Sequence, residues 1–195
     1  MILAYFVLLT IPLSYISGGR LKHMAEYPIR CIWLTPLAFI IEAAVPFLRG
    51  RIPLDDSQWI WIAVLLEYIL LFLFCFINLK EKPVRLILIA CFLNFFVIAW
   101  YGFRMPVAPI IRDFPQMASV LTRIESGELF EYVLVDYGSP FLFLGDAILL
   151  PFMHQGLASI GDIFLAAGVG WLIFRMMRPI PKRKATRQAA RQRAY

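Results

Sequence analysis

Five apolar stretches, separated by short polar segments, dominate the pattern along the chain. A helix that crosses a bilayer needs about 20 predominantly apolar residues, and the later four stretches reach that length. We therefore expect an all-α fold, an integral membrane bundle of about five transmembrane helices that forms one domain over residues 1–177. The expected spans are residues 2–16, 29–48, 58–79, 84–103 and 156–177.

The longest segment outside these spans is 105–155, and its pattern predicts several short elements. From Gln116 to Ile124 apolar residues recur at helical spacing, which predicts an amphipathic helix on the membrane surface. Phe130 to Leu134 is strand-like. Phe141 to Phe152 is apolar but too short to cross, which is typical of a re-entrant or interfacial element. We expect segment 105–155 to cover the outer face of the bundle.

The charge distribution predicts the orientation of the bundle. Hydrophobic residues make up 61% of the chain and charged residues only 16%, with a net charge of +6. Because basic loops remain in the cytoplasm, the tail 178–195 is predicted to be cytoplasmic and the N-terminus outside. The basic tail has no aromatic residue before Tyr195, so nucleic acid is an unlikely partner and membrane lipids are the expected one. The other basic clusters on the cytoplasmic side are Arg20, Lys22 and Arg30, and Lys80, Lys82 and Arg85.

Two aspartates are the main candidates for chemistry. Asp146 and Asp162 each follow a glycine, and the predicted topology places both near the outer face. Two carboxylates held close together cannot both ionise cheaply, so the pair can act as acid and base on a water molecule. Arg104 or Asn94 would orient such a site. The alternative is structural, with each aspartate capping a helix or pairing with Arg104.

Other polar residues lie within the predicted spans. Glu42 and Glu67 are costly at that depth unless they pair, and they could form a proton or cation path or bond to Asn94. His23 and His154 fall on opposite faces, so no metal site is expected. The chain contains no nucleotide-binding, dinucleotide-binding or haem-attachment motif, and no cofactor is expected.

The order of motifs along nearly the whole chain resembles a known family. The motifs are Gly18-Gly19-Arg20-Leu21, Asn94, Met105-Pro106-Val107, Gly145-Asp146 and Ser159-Ile160-Gly161-Asp162. This order resembles a family of small bacterial multi-pass membrane proteins of unknown function. The resemblance implies a bacterial origin and a membrane location, which we expect to be the plasma membrane, and it supplies no activity.

A more local resemblance concerns the last aspartate. The segment Ala158 to Ile163, followed by an apolar helix, resembles the final motif of lipoprotein signal peptidase. That resemblance implies that Asp146 and Asp162 are a catalytic dyad. Gly161 precedes the second aspartate here, whereas the peptidase motif contains an asparagine before it.

These observations favour a non-catalytic membrane protein, which would be an accessory or scaffolding subunit or a lipid- or ligand-binding module. Other subunits of a membrane complex or a second copy of the chain are the expected protein partners. An outer-face intramembrane aspartyl hydrolase that uses Asp146 and Asp162 is the alternative. A small dimeric transporter is the third hypothesis, because one copy has no inverted repeat to form a path.

Overall fold

The computed structural model describes residues 2–48, 55–150 and 156–179. It is mostly helical, with two small two-stranded sheets. The helices are α1 Ile2–Ile16, α2 Leu34–Leu48, α3 Asp56–Ile77, α4 Lys82–Trp100, α5 Ala118–Glu125 and α6 Ile160–Met176. Strand β1, Met105–Val107, pairs in parallel with β2, Tyr132–Leu134, and β3, Ile148–Leu150, pairs antiparallel with β4, Gly156–Ala158.

Local sequence explains where the two longest helices begin. Asp55 caps α3, because its carboxylate accepts a hydrogen bond from the Gln58 backbone amide at 2.7 Å, while the Asp55 backbone amide donates to Oε1 of Gln58 at 3.1 Å. Pro83 lies in the first turn of α4, where a missing amide hydrogen costs nothing. Residues Gln58–Ile77 and Lys82–Trp100 are each long and apolar enough to cross a membrane.

The long helices pack in the spatial order α1, α6, α4, α3 and α2. Glycines on α6 allow close approach on both of its sides. A Cβ at Gly168 would lie 2.8 Å from Ile87 of α4, and one at Gly170 would lie 2.9 Å from Thr10 of α1. The main buried cluster lies between α3, α4 and α6, and it includes Tyr68, Phe74, Val84, Ile87 and Leu172.

The bundle has two chemically different ends. At one end α4 stops and α6 begins, and residues 101–150 and 156–158 form what we call the cap. At the other end, here called the basic end, α6 stops beside the turn after α1 and the hairpin between α3 and α4. Among the described residues, the basic end has eight basic and two acidic side chains: Arg20, Lys22, Arg30, Lys80, Lys82, Arg85, Arg175 and Arg178, with Glu26 and Glu81.

The cap corrects the all-α expectation. Its four short strands pair neighbouring segments, which satisfies backbone groups that a short apolar segment cannot satisfy alone. Within the segment predicted to be re-entrant or interfacial, Leu142–Leu144 forms a 3₁₀ turn and Ile148–Leu150 forms β3. For the same reason the last helix begins at Ile160 rather than at residue 156.

The predicted amphipathic helix and the predicted strand are present as α5 and β2. Part of the apolar face of α5 packs against the rest of the cap, and its position on the membrane surface stays a prediction. Met117 and Ile124 are buried against Val107 and Ile111, so the cap has a small core of its own. The 151–155 segment with His154, residues 49–54 and the tail from residue 180 lie outside the described residues.

Candidate functional site

The start of α6 is held by a reciprocal pair of helix-capping hydrogen bonds. The Asp162 amide donates to the Ser159 hydroxyl at 2.9 Å, and the Ser159 amide donates to Oδ2 of Asp162 at 3.1 Å. Two backbone amides that the first turn of a helix leaves without partners are satisfied in this way. Asp162 also places a negative charge at the positive end of the helix dipole.

Asn94, on the neighbouring helix α4, bonds to both of these helix-capping side chains. Its Nδ2 donates to Oδ1 of Asp162 at 3.0 Å, and its Oδ1 accepts a bond from the Ser159 hydroxyl at 3.0 Å. Ser159 is fully buried and Asn94 is nearly so. Gly161 makes this approach possible, because a Cβ there would overlap the Asn94 amide. We call Asn94, Ser159 and Asp162 the polar lock, since together they fasten α4 to α6.

Asp146 is positioned by the cap rather than by a long helix. Its amide donates to the Pro106 carbonyl at 2.9 Å, and its own carbonyl accepts from the Ala108 amide at 3.0 Å. Gly145 is required beside it, because a Cβ there would lie 2.5 Å from the Pro106 oxygen. The Met105-Pro106-Val107 and Gly145-Asp146 motifs therefore form one structural unit.

The carboxyl group of Asp146 is in an unusual environment. Its Oδ1 is buried and has no hydrogen-bond partner within the described part of the chain. Burial raises the pKa of Asp146 to about 8, and the negative charge of Asp162 adds to that increase. At neutral pH Asp146 is therefore mostly protonated, while Asp162 lies close enough for its charge to act on Asp146.

This arrangement has two possible uses. A protonated carboxyl beside an ionised one can form an acid–base pair or hold a transferable proton. However, both oxygens of Asp162 already accept hydrogen bonds, one from a backbone amide and one from Asn94. Asp162 is therefore engaged in helix capping and in the contact with α4, whereas Oδ1 of Asp146 has no hydrogen-bond partner among the described residues.

The other predicted site residues are not brought into this cluster. In the described residues, Arg104 makes no hydrogen bond or ion pair with either aspartate. Glu67 is half-buried in α3, and Asn94 bonds to Asp162 and Ser159 rather than to Glu67. Glu42 lies in α2, and its side chain is outside the described part. No group of three potential metal-ligating residues occurs among the described residues.

Gly18, Gly19 and Arg20 lie at the basic end, far along the bundle from the aspartates. Gly18 has a φ of +84°, which a glycine adopts without strain. A Cβ at Gly19 would lie 2.8 Å from the Ser14 oxygen and 3.1 Å from Cβ of Met177. The Arg20 amide donates to the Met177 carbonyl at 2.8 Å, so this motif ties the end of α1 to the end of α6.

Two groups of functional residues were not predicted. Ser159 belongs to a Ser-x-x-Asp pattern before an apolar run, and that pattern is a helix-capping signal that could have identified it. At the basic end, Glu81 accepts from Tyr27 at 2.6 Å and pairs with Arg175 at 3.2 Å. These three residues are far apart in sequence, and no local pattern connects them.

Together these features define a mostly helical protein with two helices capable of crossing a membrane and a polar lock beneath a small cap. The chain belongs to DUF5317, a family of unknown function, whose model matches residues 26–174. No curated protein and no solved structure matches the chain. Membership agrees with the resemblance to an uncharacterised family, and the comparisons give no support to the resemblance to lipoprotein signal peptidase.

Proposed function

We propose that this chain is a multi-pass protein of the bacterial plasma membrane that acts without catalysis, as an accessory or scaffolding subunit of a membrane complex. In this proposal five helices cross the bilayer and present the cap outside as a folded binding platform. The observation that carries the non-catalytic assignment is the polar lock, because it occupies both oxygens of one of the two candidate catalytic carboxylates.

The exposure of the helices supports a membrane location. In the most apolar 18-residue window of each helix, only 22% of Gln58–Ile77 and 39% of Lys82–Trp100 is buried within the protein, whereas the core helix of a soluble fold is mostly buried. Large apolar side chains point outward from the other helices too. Leu9 of α1 is 69% exposed and Ile40 of α2 is 61% exposed. Apolar surface this extensive is typical of contact with lipid or with a membrane partner.

The two ends of the bundle support the proposed orientation. In the part of the chain that the structure describes, the basic end has eight basic side chains against two acids, whereas the cap has three arginines against six acids. Basic residues near the ends of membrane spans favour the cytoplasmic side. The basic end would then face the cytoplasm and the cap would lie outside. Helices α1 and α6 are about 22 and 25 Å long, so their crossings would also use flanking residues or a locally thinner bilayer.

Purification from native membranes in a mild detergent, followed by mass spectrometry, tests the accessory role. We expect a larger membrane protein to co-purify in constant stoichiometry. The Asp162→Asn variant should lower thermal stability, because it removes the negative charge that Asn94 and the Ser159 amide bind. Isolation of the chain alone or as a homodimer under the same conditions would contradict the accessory role.

One observation favours an outer-face aspartyl hydrolase as a second candidate. Asp146 is protonated at neutral pH and Asp162 is close by, which is the state such a pair needs. In that reaction Asp162 would take a proton from water as the water oxygen attacks a peptide carbonyl, and Asp146 would give its proton to the leaving amine. Peptide hydrolysis in reconstituted membranes that is lost in both Asp146→Asn and Asp162→Asn, with folding intact, would establish this candidate over the accessory role.

A further inference from the structure

A cleft of about 420 Å³ opens at the basic end, between the α3–α4 hairpin and the last turns of α6. Lys80, Glu81 and Lys82 line it on the hairpin side, and Trp171 and Arg175 line it on α6. The cleft is shallow and open to its surroundings. The cleft is remote from the polar lock and from Asp146.

The charges in this cleft do not balance. Arg175 is paired with Oε2 of Glu81 at 3.2 Å, and the Tyr27 hydroxyl donates to the same oxygen at 2.6 Å. Burial, together with Glu81, holds the pKa of Tyr27 above its usual range, so this hydroxyl remains a donor. Lys80 and Lys82 are exposed, and neither makes a hydrogen bond or ion pair with any residue that the structure describes. Two positive charges are therefore unmatched.

The backbone adds to this positive potential. Helix α4 begins at Lys82, and the Glu81 side chain makes no capping hydrogen bond to its first turn. The positive end of the α4 dipole therefore lies at the cleft. Pro83 has no amide hydrogen, and the amides of the next two residues donate to the Glu81 carbonyl, so the backbone contributes through the dipole. The side chains of Lys80 and Lys82 supply the donors, which suits the cleft to a phosphate-like anion.

The α6 side of the cleft continues into an apolar surface. Trp171 lies one turn before Arg175 on the same helix face, and Phe164 lies two turns earlier still. Both aromatic side chains are partly exposed, Trp171 at 43% and Phe164 at 36%. A tryptophan between an apolar face and basic residues is typical of the membrane–water interface. The surface therefore changes from apolar to basic toward the end of α6.

We propose that this cleft binds an anionic phospholipid, with the phosphate held between the side chains of Lys80 and Lys82 and the acyl chains along Trp171 and Phe164. This inference rests on the membrane location and cytoplasmic basic end of the proposed function, and it does not depend on the accessory role. The recognition combines the unmatched charge with the adjoining apolar face, which a soluble phosphate would not use.

Native mass spectrometry of the delipidated full chain in detergent tests this site by titration with phosphatidylglycerol or phosphatidylcholine. The test variant is Lys80→Gln/Lys82→Gln, and the matched control is Lys22→Gln/Arg30→Gln. The control removes the same charge from exposed side chains at the same end but outside the cleft. At roughly fivefold for each basic residue, the test variant should bind phosphatidylglycerol about 25-fold more weakly. The control should change by about threefold or less, and thermal unfolding checks that all variants fold.

Three results would overturn the proposal. Equal weakening in the test and control variants would show a general surface-charge effect, and equal affinity for the two lipids would show that headgroup charge is not recognised. Complete displacement of the lipid by millimolar inorganic phosphate, with direct binding of that phosphate, would make the ligand a soluble anion. Carbonate washing of membranes provides the separate test of membrane location, because release of the chain there would contradict the proposed function itself.

Discussion

Replacing Gly161 by alanine is the sharpest test of the polar lock. A Cβ at this position would overlap the Asn94 side-chain amide, while Asn94 Nδ2 would remain only 3.1 Å away. The amide would therefore have to move, and its two 3.0 Å bonds to Asp162 and Ser159 would break or lengthen. We expect Gly161→Ala to destabilise the protein even though alanine is the better helix former.

The expected magnitude follows from three contributions. Overpacking in a close contact costs about 1–3 kcal/mol. Each interhelical hydrogen bond in a membrane protein contributes about 0.6 kcal/mol on average. Alanine offsets up to about 1 kcal/mol through its helix propensity. The net loss is about 1–3 kcal/mol, which corresponds to a fall in Tm of about 2–12 °C for a chain of this size.

Thermal unfolding of the purified protein in detergent measures this effect, and Gly138→Ala is the matched control. A Cβ at Gly138 meets no atom within 4 Å, so that variant should stay within about 0.5 kcal/mol of the original protein. The decisive comparison repeats Gly161→Ala in an Asn94→Ala background, where the overlapping amide is absent. There the substitution should be neutral or slightly stabilising. Equal destabilisation in both backgrounds, or none in either, would refute the proposed contact.

Three further predictions concern the aspartate, the basic end and the topology. Because the pKa of Asp146 rises from 3.8 to about 8 on folding, its contribution to stability is full below about pH 4 and is lost as the pH rises to 8. Asp146→Asn should therefore make the free energy of unfolding depend less steeply on pH in that window, by at most about 1.4 kcal/mol per pH unit, and Tm measured against pH detects this change. An unchanged dependence would contradict the raised pKa of Asp146. Gly19→Ala should lower stability by about 1–3 kcal/mol relative to the Gly138→Ala control, because it crowds Ser14 and Met177; an equal Tm for the two variants would refute the close contact between α1 and α6. With Cys31 replaced by serine, an impermeant maleimide should label Asp136→Cys in intact spheroplasts and Lys80→Cys only after lysis, and the reverse pattern would invert the proposed orientation.

Local interactions explain which elements could be predicted from sequence. The long apolar runs predict α3 and α4 without any knowledge of tertiary contacts. The start of a helix depends on residues within one turn, such as Asp55 and Gln58 at the start of α3. The strand Tyr132–Leu134 and the helix Ala118–Glu125 also follow from local spacing. The segment predicted to be re-entrant or interfacial contains β3, whose backbone pairs with β4, and local pattern does not identify that pairing.

The sequence by itself determined the helices, the charge difference between the two ends and the candidate residues Asp146, Asp162 and Asn94. Only the tertiary structure decided that Asn94 bonds to Ser159 and Asp162, 65 and 68 residues away, and that Asp146 stays outside this lock. The physical reason is that helix formation and capping depend on neighbours within a few residues. Contacts between helices depend instead on the relative position and rotation of the helices. Small residues such as Gly161 allow the close approach, and many simultaneous packing contacts determine which arrangement forms.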